Sequence, residues 1–102
     1  MTEQIQKTQA TVTLEEPVKR GETDIAEVVV RKPKAGALRG VRLVALMDMD
    51  VTSMTEVLPR ITAPALTKPE IMMMAPGDLL NLSIEVVNFL LPKSMQQDYQ
   101  ND

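Results

Sequence analysis

Asp48 and Asp50 are the first residues to weigh for chemistry, because two nearby carboxylates can share a divalent cation. Residues two apart on a helix point in different directions, and the chain has no histidine to complete a ligand set. Helix capping and solvation is therefore the plainer reading of the pair, and neither metal nor cofactor is expected. With no His and no Cys, the usual general base, thiol chemistry and a disulfide framework are all missing. No Ser, Thr or Lys has a histidine to activate it as a nucleophile. Gly36-Ala37-Leu38-Arg39-Gly40 lacks the glycine, lysine and hydroxyl spacing of a phosphate loop. Asn81-Leu82-Ser83 matches a glycosylation acceptor, but it falls inside a predicted helix and the polar opening of the chain does not read as a secretory leader. No enzymatic activity is expected.

The densest chemical feature is cationic. Arg31, Lys32, Lys34, Arg39 and Arg42 fall in a segment broken by Pro33, Gly36 and Gly40, here termed the basic hinge (32–40 with its flanks). Three readings are open: a solvated loop, a contact for an acidic protein, or a contact for phosphates. Nucleic acid is the least favoured, because no aromatic residues are interleaved to stack on bases. Charge is also polarised along the chain. Residues 1–45 hold eight Lys/Arg against six Asp/Glu, a net +2, whereas residues 46–102 hold three against eight, a net −5. That pattern permits electrostatic self-association or a polarised partner surface, and it is not the evenly basic face of a nucleic-acid protein.

A chain of 102 residues is sized for one domain. With one Phe and one Tyr, its core must come from Leu, Ile, Val and Met. The eight methionines include Met47, Met49, Met54 and the run Met72-Met73-Met74 behind Ile71. Flexible thioether side chains serve either as gap-fillers or as an adaptable groove for apolar helices. No apolar run approaches the ~18 residues of a spanning helix, and a cytosolic protein is expected.

The elements that would position these groups can be read in order. Residues 1–10 are polar and unpatterned and are expected to be disordered. Residues 11–14 alternate as a strand, residues 15–22 read as a turn around Pro17 and Gly21, and residues 24–31 form a second strand. In that second strand Ala26, Val28 and Val30 would share one face. An antiparallel hairpin results, which needs cover from the helices or from a second copy. Residues 41–49 read as a short helix. Asp50 can cap the next, where Val51, Met54, Val57, Leu58 and Ile61 keep helical spacing until Pro59 ends it near Leu58. Residues 62–66 read as a linker. Thr67 and Glu70 form a capping-box signature opening a helix through Met74. The last helix spans 76–91, with Asp78 at its positive end and Asn81, Glu85 and Asn88 marking its wet side. Its apolar arc is wider than one core face requires. Residues 92–102 form a polar tail, expected to be disordered. The fold class is α+β: an N-terminal antiparallel hairpin followed by three or four short helices, in one domain over 11–91.

Several segments in this order carry a family resemblance. They are Val12 to Leu14 with Glu16-Pro17-Val18-Lys19-Arg20-Gly21-Glu22-Thr23, then Val30-Arg31-Lys32-Pro33-Lys34-Ala35-Gly36 with Leu38-Arg39-Gly40. Leu58-Pro59-Arg60-Ile61-Thr62 and Asp78-Leu79-Leu80 through Phe89-Leu90-Leu91 complete the set. Together they resemble the tail assembly chaperones of contractile-tailed phages, the tail protein E family of the P2-like and Mu-like groups. Departures are small: Ala37 stands where an acidic residue is common, and Ala75-Pro76 where the family often has Asp-Pro.

The resemblance implies a chaperone that binds the tape measure protein and keeps it soluble until the tail tube polymerises. It implies action in the host cytoplasm, absence from the mature virion, no catalytic residues, and in many such phages a longer frameshifted form of the same protein. It leaves self-association into a homo-oligomer open. On this reading the client surface is sought in the wide apolar arc and the methionine run, at Ile71, Met72, Met73, Leu79, Val86 and Leu90. The competing reading is a structural tail component, or a small nucleic-acid-binding regulator using the basic hinge.

Overall fold

Gly21 takes a positive φ of 65°, which an L-side chain adopts only at a cost. With Glu22 it forms a tight turn that joins β1 (Gln9–Arg20) to β2 (Thr23–Arg31). The computed structural model describes residues 8–92. The hairpin is thus longer and tighter-turned than the sequence indicates. β1 starts at Gln9, where the Lys32 N–H donates to the Thr8 carbonyl, and it runs through the segment expected to be a turn. The rest of the expected disordered start, residues 1–7, lies outside the described residues, as do residues 93–102 of the tail.

β1 stays a strand by bulging. Thr13 pairs with Glu27 and Val18 pairs with Ile25, so the stretch from Leu14 to Pro17 faces Ala26 alone. Pro17, which has no N–H to give a ladder, sits in that irregularity. The bulge also shifts the inward face of β2. Val28 and Val30 point into the core as expected, but Ile25 is buried and Ala26 is exposed.

The expected linker instead supplies a third strand, β3 (Thr62–Ala63), antiparallel to β2 at Val30 and Val29, giving the order β1-β2-β3. The Thr62 hydroxyl explains part of this. It donates to the Leu58 carbonyl at 2.7 Å and accepts from the Leu66 N–H at 3.0 Å, tying the end of a helix to the next loop. The Ala63–Pro64 peptide is cis.

Helices cover one face of the sheet. α1 (Leu43–Met47) and α2 (Val51–Ile61) follow the hinge, and α3 (Lys68–Met72) and α4 (Pro76–Leu90) complete the chain. The architecture is the expected α+β class. The hinge is less broken than expected, since Ala35–Leu38 forms a turn of 3₁₀-helix. α2 runs through Pro59 to Ile61 rather than ending near Leu58. An internal proline removes one helical bond, but Leu58 and Ile61 are both buried, and the packing of that last turn outweighs the loss. Arg60 adds a tie, its Nη1 donating to the Ala37 and Arg39 carbonyls at 3.0 and 2.9 Å. The core gathers Val12, Val28, Val30, Leu46, Met54, Val57, Leu58, Leu66, Ile71, Leu82 and Val86 between sheet and helices.

Candidate functional site

The positions expected to meet a client divide sharply. Ile71 and Val86 are essentially fully buried, so both are corrected to residues of the chain's own core. Val86 lies on the inward side of α4 with Leu82 and Phe89, the side the sheet covers. Leu79 and Leu90 are half-buried against the core's edge. Met72 and Met73 are the reverse, 67% and 86% exposed.

Those two methionines stand on well-fixed backbone. α3 opens with a complete capping box: the Thr67 hydroxyl accepts from the Glu70 N–H, and the Glu70 carboxylate accepts from the Thr67 N–H at 3.0 Å. The same carboxylate takes both nitrogens of a guanidinium fork, from Arg20 Nε at 2.9 Å and Nη2 at 2.6 Å. Arg20 Nη2 also reaches the Ala65 carbonyl. These donors, Arg20 first and then the Thr67 N–H, hold the Glu70 carboxyl down to about 2. The hairpin tip is thereby latched to α3. Between them lies an open groove of about 390 Å³, lined in part by Pro17, Val18, Pro69, Met73 and Met74.

Asp78 does more than the sequence reading assigned to it. Its carboxylate is fully buried and accepts from the Glu15 N–H at 2.8 Å and the Glu16 N–H at 3.0 Å. It supplies the partners that the β1 bulge lacks across the sheet, and it fixes the start of α4 against β1. Nothing local in the sequence marks this role, because the amides it serves lie in a different element.

Other apolar side chains are exposed as well, among them Met47 and Met49 of the candidate adaptable groove, whereas Met54 of that set is buried in the core. On α4, Leu80 and Ile84 sit one turn apart facing outward. On α1, Leu43 and Val44 are 57% and 63% exposed, with Met47, Met49 and Val51 beside them in sequence and also exposed. The available signal was density: four of the five residues of α1 are large and apolar, more than one face of so short a helix can bury. α1 packs against α2 and α4. It ends in a left-handed residue, Met49 at φ 57°, with the Asp50 N–H donating to the Ala45 carbonyl and the Met49 N–H to the Leu46 carbonyl. This is a Schellman cap, at a position where glycine is the favoured residue.

The cations Arg31, Lys32, Lys34, Arg39 and Arg42 are all exposed. Of the two aspartates only Asp50 caps with its side chain: Asp50 Oδ2 accepts from the Ser53 N–H at 2.9 Å, which with the Ser53 hydroxyl lowers its pKa, while Asp48 is the C-terminal boundary residue of α1. Among the described residues no group of three or more acidic, His or Cys side chains is arranged to hold a metal, and no helix is long and apolar enough to cross a membrane.

A family model described as phage tail assembly chaperone proteins, E, or 41 or 14, matches residues 11–91. Tail assembly protein E of Escherichia phage P2 is 48% identical over 85 residues, covering 83% of this chain and 93% of the relative. Tail assembly protein E′ of the same phage is 48% identical over 80 residues, covering 78% of this chain and 56% of the relative, so this chain spans little more than half of that longer protein. The family and both relatives are named for assembly rather than for a reaction, in keeping with the absence of catalytic groups expected from the sequence. No solved structure matches.

Proposed function

This chain belongs to the phage tail assembly chaperones, and from that premise we propose that its client is the tape measure protein, whose apolar helices it covers until the tail tube polymerises. The observation that carries the reading is the pair Met72 and Met73, large apolar side chains held out in solvent at the last residue and the C-cap of a helix latched at its start by Thr67, Glu70 and Arg20. An exposed apolar group on a fixed scaffold loses little conformational freedom on docking, and thioethers adapt to varied side chains. Leu80 and Ile84, with the half-buried Leu79 and Leu90, extend the surface along α4. On this reading the protein works in the host cytoplasm, is absent from the mature virion, and acts beside a longer frameshifted product related to it as E′ is to E.

Co-expression with the tape measure protein tests it. Wild-type chain keeps the client in the soluble fraction and co-purifies with it. The double variant Met72→Asp with Met73→Asp loses both, while its circular dichroism and melting stay unchanged. A folded double variant that still holds the client in solution would move the client site elsewhere.

A further inference from the structure

α1 carries its charges the wrong way round for its own stability. Arg42 is its N-cap and Asp48 its C-cap, whereas helix ends favour anions at the start and cations at the finish. Neither residue forms an ion pair among the described residues. Between them Leu43, Val44 and Met47 are exposed, and Met49 and Val51 carry the apolar surface past the end of the helix.

Met49 adds an independent sign. The Schellman cap holds it at a positive φ that glycine would adopt without penalty. A costly backbone conformation retained around an exposed apolar side chain points to a use for that side chain at the surface.

We propose that α1 is the contact of a two-fold homodimer, in which two copies of α1 lie antiparallel, Leu43, Val44, Met47 and Met49 of each chain meeting those of the other. A two-fold contact must be self-complementary. Antiparallel packing about an axis at the middle of the helix places Arg42 of each copy beside Asp48 of its partner, because the two groups flank the same five helical residues and the axis exchanges the ends. It also sets the cationic start of each helix against the anionic finish of the other, which removes the unfavourable placement seen in one copy alone. A client helix offers no such match at both ends unless its own charges happen to be spaced likewise. The polarised charge of the chain, basic through the hinge and acidic beyond it, favours the same antiparallel arrangement. This surface is separate from Met72 and Met73, so the proposal stands or falls apart from the choice of client.

Sedimentation equilibrium of the full chain without client is the test. Wild type sediments as a dimer that dissociates on dilution. Val44→Asp is monomeric at concentrations where wild type is dimeric, with unchanged circular dichroism. Arg42→Asp weakens association by about tenfold or more, by replacing two symmetry-related attractions with repulsions. Adding Asp48→Arg to Arg42→Asp restores it. Met49→Gly raises the melting temperature of the dilute monomer and lowers the dimerisation constant. A wild type that is monomeric up to its solubility limit overturns the proposal. So does a Val44→Asp chain that associates as strongly as wild type, or a double charge swap no tighter than Arg42→Asp alone.

Discussion

α1 and α3 are both five-residue helices, and they differ in nearly everything that holds their ends. α3 has a capping box, a proline in its first turn and a guanidinium fork from the hairpin tip. α1 has no side-chain cap at its start, opposed charges at both ends and a methionine where a glycine would relax the turn. A helix of five residues is far too short to persist by itself. α3 is made persistent by polar ties within the chain. α1 rests on Leu46 in the core and on its neighbours, and it leaves most of its apolar surface outside. Local polar satisfaction and apolar exposure are thus traded differently at the two ends. The latched end presents two methionines on fixed backbone, and the unlatched end presents a broader apolar stripe.

The contrast can be broken most forcefully at Asp78, which fixes the start of α4, the helix that follows α3, against β1. Asp78→Ala removes a fully buried carboxylate and the two charge-assisted hydrogen bonds it takes from the Glu15 and Glu16 amides of the bulge, and should cost about 2–5 kcal/mol, read as a drop in the urea midpoint. Asp48→Ala at the other end should change it by less than about 0.5 kcal/mol. Thr67→Ala removes one half of the capping box and should cost about 1 kcal/mol, measurable by thermal melting and accompanied by greater amide exchange in α3.

Acid gives the smallest and most selective effect. Glu70 has a folded pKa of about 2, below its ordinary value of 4.5. A depressed carboxylate contributes its stability above the unfolded pKa and loses it as pH falls toward the folded one. The latch should therefore be intact above pH 4.5 and weaken progressively down to about pH 2. The effect is modest because Arg20 is substantially exposed to solvent. Comparing wild type with Glu70→Gln across that window isolates it: the variant should lose the part of the pH dependence that arises from this carboxyl. An unchanged dependence would show that the latch contributes nothing to folding.

The local signals were readable and the non-local ones were not. The Thr67–Glu70 box and the Asp50 cap are contained within four residues and fold as the sequence indicates. The apolar spacing of α2 was equally clear. The stretch around Pro17 reads as a turn because the group that holds its bulge, the Asp78 carboxylate on the Glu15 and Glu16 amides, is on another element. β3 is a two-residue strand whose only credential is its pairing with Val29 and Val30. The arc of α4 named too many apolar residues. Which of them became core was decided by where the sheet lay, burying Val86 and leaving Leu80 and Ile84 outside.

The Asp78 clamp also orders events in time. Its oxygens close onto amides 62 and 63 positions earlier in the chain. As the chain leaves the ribosome, the hairpin appears first, yet its bulge has no acceptor until the start of α4 has been made. The tight turn at Gly21 can pair the strand ends beside it early, whereas the middle of the sheet must await a contact of high sequence separation, the kind that slows folding. The bulge of the first strand is therefore completed only by a residue of the last helix.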